Sequence, residues 1–259
     1  MNKIYNRFDM RDYVNTSDLS STNSQIAKFC LDHPDLIHTC SLNKLSEASY
    51  FSQPTLSRFF NNVCNLSFID YVKSDVKGKQ EVKNSILSYF TLSNIDQIKK
   101  LQNMVGLEDK EIYKIVNNLY QSQRLLIIGP TFFQGYSHSL GTALLYYDKT
   151  IYSPYSYEAQ SLLIKEMNNQ DIVVIHSLSK EWENTDLMHH YEKILSHSSS
   201  IKYSICLKET IPEYRFPFHS IILENGSEAL RDVQLLSFYK VLMFNFLKIE
   251  SFKEKNKLN

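Results

Sequence analysis

Glycine is scarce in this chain: six in 259 residues, alongside six prolines, four cysteines and a single tryptophan. Loops that hold phosphate on successive backbone amides depend on glycine, so a glycine-rich phosphate loop has little to be built from. The cysteines, Cys30, Cys40, Cys64 and Cys206, include no C-x-x-C pair. A zinc site or a disulfide framework needs close pairs, so buried reduced thiols in a cytosolic protein are expected instead. No apolar run approaches the about 20 residues that cross a bilayer, and residues 1–18 lack the apolar core of a signal peptide. A cytoplasmic chain with no membrane partner is expected. Excess charge is missing too, since 28 Lys and Arg balance 28 Asp and Glu. Phosphate neutralisation supplies most non-specific nucleic-acid affinity, so any DNA binding must rest on a local face.

What is present is the composition of an ordinary globular protein, 43% hydrophobic and 22% charged, at a length that suits two domains. The N-terminal third reads as all-α. Ile26, Phe29, Cys30 and Leu31 share a helical face between Ser20 and Asp32, and His33-Pro34 stops that helix. Leu36 and Ile37 offer a short turn, Ser41 caps a helix over 42–48, Ser52 caps the next, and a last piece runs from Ser67 to Val76. Five small helices are expected in about 75 residues, a spacing that ordinary helix and loop lengths allow. Residues 78–123 read as a helical connector, with Ile86, Leu87, Phe90, Ile95, Ile98, Leu101, Met104 and Val105 at helical intervals and Gly106 as a break.

From Arg124 the pattern changes to short apolar runs, RLLIIG, KTIYS, DIVVIH, KYSICL and HSIIL, separated by segments of helical length. Strands buried on both faces and alternating with helices imply a parallel sheet in a three-layer α/β sandwich. An apolar helix from Ser227 to about Ile249 closes the chain and is expected to be buried, in the domain or at a subunit interface. The expected domains are 1–77, 78–123 and 124–250.

The stretch Lys44 to Phe60 is built like a helix-turn-helix, with Leu45 and Ala48 of the first helix packing on Leu56 and Phe59 of the second. In that motif the N-terminal part of the second helix enters the major groove. The residues left outside are Gln53, Thr55, Ser57, Arg58, Asn61 and Asn62, all able to bond base edges or phosphates, with Lys44 and Lys73 available for flanking phosphates. A plain helical hairpin with a polar surface has the same pattern, and Glu47, Asp70 and Asp75 offset the lysines.

The order Ile26-Ala27-Lys28-Phe29, His33-Pro34, Leu45-Ser46-Glu47-Ala48, Ser52 and Thr55-Leu56-Ser57-Arg58-Phe59, then Phe68 ahead of Asp70-Tyr71, resembles the N-terminal domain of RpiR-type bacterial transcription regulators. The resemblance covers about 55 residues. Tyr50 stands where that family has a turn glycine, and positive φ is costly for a bulky residue, so a differently shaped turn is expected.

RpiR-type regulators join this head to a sugar isomerase (SIS) domain, a flavodoxin-like sandwich that binds phosphosugars. The resemblance therefore implies an all-α helix-turn-helix head followed by an α/β sandwich with a flavodoxin-like parallel sheet. In SIS domains Gly-x-Gly-x-Ser follows the first strand and Ser-x-Ser-Gly-x-Thr the third, around the phosphate. Here the first turn is Gly129-Pro130-Thr131-Phe132-Phe133 and the second Ser177-Leu178-Ser179-Lys180-Glu181-Trp182. Ligand contacts implied by the resemblance fall on Gly129, Thr131, Ser177, Ser179 and Lys180. A vestigial domain kept for dimerisation fits the same eroded loops.

No metal or cofactor is expected. His189 and His190 point apart on a helix, and His138 and His176, near the expected pocket mouth, read as structural. Glu224 and Glu228 follow the fifth strand, where SIS isomerases carry carboxylates, but isomerisation needs an intact substrate loop. The expected function is a non-enzymatic regulator of sugar or amino-sugar metabolism, binding operator DNA and a phosphosugar or similar anionic effector as a homodimer or higher oligomer. The alternative is a phosphosugar-binding or scaffolding protein that does not bind DNA.

Overall fold

A computed structural model describes residues 6–89 and 92–257, so Phe90 lies outside the described residues. The chain separates into two compact units between residues 90 and 91.

Among its described residues the first unit has helices alone: α1 (Asn6–Thr16), α2 (Thr22–Asp32), α3 (Pro34–Thr39), α4 (Leu42–Ser49), α5 (Gln53–Val63) and α6 (Phe68–Tyr89). Serines start four of these helices, and Ser67 Oγ accepts from the Asp70 amide at 3.2 Å at the head of α6. The side chains of Ser21, Ser41 and Ser52 accept from the amides of Ser24, Lys44 and Thr55, satisfying donors that a helix start leaves open. The core gathers on Phe60, which is fully buried and makes ring contacts with Phe59, Phe68 and Tyr71 at 5.0–5.3 Å between centroids. His38 Nε2 meets the buried Asp75 carboxylate at 2.7 Å, tying α3 to α6.

α1 was not expected from the sequence. Among its described side chains Met10 and Val14 are buried with Arg11 between them, and charged neighbours hide the period. α6 also continues well past Val76, crossing position 77 without a break.

The second unit begins with α7 (Leu92–Val105), turns at Gly106 with φ 76°, and continues in α8 (Asp109–Gln121). The apolar runs then form β1 (Arg124–Ile128), β2 (Thr150–Tyr152), β3 (Asp171–Ser177), β4 (Ile201–Leu207) and β5 (His219–Leu223). All pair in parallel, in the order β2-β1-β3-β4-β5, which is the flavodoxin-like doubly wound order. Between them lie α9 (His138–Tyr146), α10 (Tyr157–Glu166), the short α11 (Lys180–Glu183) and α12 (Asp186–His197), and α13 (Glu228–Lys257) closes the chain.

α13 packs on α7, α8 and α9, while α10 packs on α12, giving helix layers on both faces of the sheet. This is the three-layer α/β sandwich that the alternating runs imply. Leu235, Phe238, Tyr239, Leu242, Phe246 and Leu247 of α13 are buried within the unit. β1 is held at its start by Arg124, whose Nε and Nη2 donate to the fully buried Asp171 carboxylate of β3 at 3.0 and 2.7 Å. None of the four cysteines is in a disulfide, and Cys30, Cys64 and Cys206 are buried and Cys40 half-buried. Among the described residues no helix is long and apolar enough to cross a membrane.

Candidate functional sites

In the first unit, α4 and α5 pack as a short helical hairpin across residues 50–52. Leu45, Leu56 and Phe59 close the seam, as expected, but Ala48 is exposed and Ser49 is buried in its place. Helical spacing explains the change: the residue four beyond Leu45 lies under the same stripe, and that residue is Ser49. Ser49 also helps to fix the turn, its hydroxyl accepting from the Phe51 amide at 3.5 Å while Ser46 Oγ donates to the Phe51 carbonyl at 2.6 Å.

The turn itself corrects the expectation for Tyr50. Its backbone is left-handed, φ 60° and ψ 12°, the conformation a glycine would take. The ring is 96% exposed and meets no neighbour that would forbid it, so the cost is the local one, about 1–2 kcal/mol.

On α5, Arg58, Asn61 and Asn62 are exposed and Ser57 is half-buried beside them. Arg58 Nε donates to the Pro54 carbonyl at 3.3 Å, leaving the remaining guanidinium donors outward. Lys44 is exposed at the start of α4. Two residues are already engaged. Gln53 Nε2 donates to Asn43 Oδ1 at 2.5 Å, stapling α5 to α4, and Thr55 Oγ1 shares a 2.8 Å bond with the capping Ser52 Oγ. The arrangement offers one short helical face with a cation and two amides, and a lysine on the preceding helix.

In the second unit the chain leaves β1 for one side and β3 for the other. The crevice at the carboxyl ends of these two neighbouring strands is the topological switch point, the usual ligand position in open α/β sheets. Gly129 and Thr131 follow β1, and Ser177, Ser179 and Lys180 end or follow β3, so the fold brings the five residues to one edge.

Their bonding departs from a phosphate loop. The Gly129 amide donates to Gln160 Oε1 at 3.0 Å, and its carbonyl accepts from Gln160 Nε2 and Gln134 Nε2. Gly129 itself is required by geometry, with φ 136° and an added Cβ placed 2.8 Å from His176 Cβ. Thr131 Oγ1 donates to the Tyr155 carbonyl at 3.2 Å. Ser179 Oγ accepts from the Trp182 amide at 3.1 Å, capping α11. Lys180 is exposed.

Ser177 is fully buried and, by strand alternation, faces away from its neighbour His176. It lies toward Glu183 and Tyr214, where the Tyr214 hydroxyl donates to Glu183 Oε1 at 3.0 Å. Burial raises the Glu183 carboxyl above its ordinary range. His176 is not at a pocket mouth as expected. It is fully buried, shares a 2.6 Å bond between Nε2 and the Tyr239 hydroxyl, and is pushed by burial down to about 3. It is a neutral core histidine joining β3 to α13.

Three residues of this edge were not expected from the sequence: Gln134, Gln160 and Arg231. Gln160 and Arg231 had a signal. Gln160 shares the helical face of Ala159, Leu163 and Ile164, and Arg231 stands four residues before Leu235 on the buried stripe of α13. A polar side chain on a buried stripe must find partners inside. Arg231 does so, Nη1 donating to the Leu178 carbonyl at 3.2 Å in the turn after β3.

No protein-family model and no curated protein matches the chain. Solved structures with a similar course include the Vibrio vulnificus NanR protein complexed with ManNAc-6P, at 13% identity and TM-score 0.46, covering 98% of this chain and 97% of that one. The sugar isomerase domain of an RpiR transcription factor from Sphaerobacter thermophilus aligns at 11% identity and TM-score 0.45, over 64% of this chain and 94% of that one. The C-terminal domain of glucosamine-fructose-6-phosphate aminotransferase from Francisella tularensis aligns at 11% identity and TM-score 0.46, over 79% of this chain and 52% of that one. At these levels the likeness says nothing about ligand or partner.

Proposed function

We propose that this chain is a DNA-binding transcription regulator of the RpiR type, with a helical head that reads operator DNA and a degenerate SIS domain that senses a phosphosugar or related anionic metabolite. The observation that carries the reading is the α4–α5 hairpin: a left-handed turn held at Tyr50, a Ser52-capped second helix, and Arg58, Asn61 and Asn62 left on its outer face. Arg58 midway along α5 and Asn61 and Asn62 in its last turn carry groups that match base-edge and phosphate chemistry. Two heads on a homodimer would match a palindromic operator with half-sites spaced by whole helical turns.

The switch-point crevice is the proposed sensor. It acts by binding rather than catalysis, because the small hydroxyl residues that surround a phosphosugar in an isomerase loop are replaced by Phe133 and Trp182. A ligand there changes operator affinity by no more than its own preference between the two DNA-binding arrangements.

The test is the dissociation constant of the full chain for DNA upstream of its own gene, measured with and without a panel of sugar 6-phosphates. Specific binding shifted by one panel member is expected. Absence of any preference over scrambled DNA would remove the regulator reading, and DNA binding untouched by every panel member would remove the sensor.

A further inference from the structure

α13 starts over the edge where the turns after β1 and β3 meet. Ser227 Oγ accepts from the Leu230 amide and opens the helix. One turn on, Arg231 Nη1 reaches the Leu178 carbonyl in the turn after β3. The next residue, Asp232, lies against the Tyr136 phenol, in the turn after β1, which burial and then this carboxylate push upward. Two consecutive residues of one helix therefore touch both lips of the crevice.

The guanidinium there has unused capacity. Of its five donors, one goes to the Leu178 carbonyl, while Nε is buried and makes no hydrogen bond. Nη2 faces only Glu228 Oε1, at 3.5 Å, from a carboxylate whose side chain is 91% exposed. An ion pair so long, with so exposed a partner, is weak and screened. A guanidinium is best matched by two oxygens of one anion in a fork.

Three of the groups in the two turns are already engaged, and the Ser177 hydroxyl, which makes no hydrogen bond, is fully buried on the side of Glu183 and Tyr214. The Gly129 amide serves Gln160, the Thr131 hydroxyl serves Tyr155, and the Ser179 hydroxyl caps Trp182. We infer that Arg231 is the anion-reading residue of this crevice, exchanging Glu228 for the phosphate monoester of a small metabolite, with Lys180 as the second charge. A side-chain cation from the last helix thus replaces the backbone amides that a glycine loop would supply. The inference rests on the sensor reading above and names the group that carries it.

The experiment is calorimetric titration of the full chain with inorganic phosphate, a panel of sugar 6-phosphates and the same sugars without phosphate. The best phosphorylated ligand is expected to lose roughly 10–100-fold in affinity in Arg231→Met, the range for a charge-assisted hydrogen bond, and to lose less in Arg231→Lys. Glu228→Gln removes the competitor and is expected to bind a few-fold tighter, which a merely structural Arg231 would not produce. Because position 228 is exposed, that variant stays informative where Arg231→Met fails to fold. Unchanged affinity in Arg231→Lys and Glu228→Gln, or equal binding of sugars without phosphate, overturns this inference and leaves the sensor standing. Absence of binding across the panel overturns both.

Discussion

Gly129→Ala separates two explanations of the one glycine kept after β1. If the residue is there for a phosphate, alanine should change ligand affinity and leave the fold alone. The geometry says the reverse. At φ 136° an L side chain is strained, at about 1–3 kcal/mol, and the new Cβ would lie 2.8 Å from His176 Cβ and 3.0 Å from the His176 carbonyl oxygen. His176 belongs to a central strand and is bonded to Tyr239, so neither atom can yield cheaply. Overpacking of this kind adds about 1–3 kcal/mol, for a total of roughly 2–6 kcal/mol. In a domain of this size each kcal/mol moves Tm by about 2–4 °C, so a fall of about 10 °C is expected. Gly106→Ala is the internal control: φ is 76° but nothing lies within 4 Å of the added Cβ. It should cost only about 1 kcal/mol. Calorimetric melts of the two variants beside the parent decide the matter. Equal Tm values for Gly129→Ala and Gly106→Ala would refute the packing argument.

His176 is held neutral, pushed by burial to about 3 from 6.5, so the unfolded chain takes up its proton first as pH falls. Its contribution is present above pH 6.5 and lost toward pH 3, and urea unfolding should show roughly 2 kcal/mol less stability from this group at pH 5 than at pH 7. His176→Gln, which keeps a partner for Tyr239, should flatten that difference; an unchanged pH slope would rule the histidine out. Asp171→Ala should cost about 3–5 kcal/mol by removing the buried carboxylate that pairs with Arg124, only 14% exposed, and chemical denaturation will show it as a lower midpoint at unchanged m-value. Arg58→Ala, at an exposed position, should leave Tm within about 1 °C while weakening DNA binding by about 1–3 kcal/mol, read by anisotropy with melting in parallel.

The α/β half was the more legible one. Five apolar runs became five parallel strands, most plainly at β1, β3 and β4, which are buried on both faces and so leave no polar face to blur the pattern, whereas the edge strand β5 keeps His219, Ser220 and Ile222 exposed. The head was legible where serines announce helix starts, and less so at α1, where the buried Met10 and Val14 sit among charges. Helical phase decided Ala48 against Ser49, one residue apart and on opposite sides of the seam's edge. Tyr50 took the glycine conformation because solvent, rather than protein, surrounds its ring.

At the crevice the sequence brought the two turns to one edge of the sheet but did not show their bonding. A turn such as Gly129-Pro130-Thr131 shows which hydroxyls and amides are near, but not that a glutamine 31 residues away consumes the Gly129 amide. Long-range satisfaction of buried polar groups is a tertiary property, and it is what converts this turn from a phosphate loop into a packed corner. Arg231 shows the complement. Its place on an apolar stripe marks it as engaged inside, but the partner, a carbonyl 53 residues upstream, appears only in the folded chain.

The central claim is that the α4–α5 hairpin reads DNA. It is tested most directly by the anisotropy of labelled DNA from upstream of the gene, titrated with the full chain and with Arg58→Ala across a range of salt. The account predicts affinity that falls steeply as salt rises, preference over scrambled DNA, and a salt slope about one unit shallower, with weaker binding, in the variant. Binding that ignores salt, or that is the same in Arg58→Ala, would contradict it.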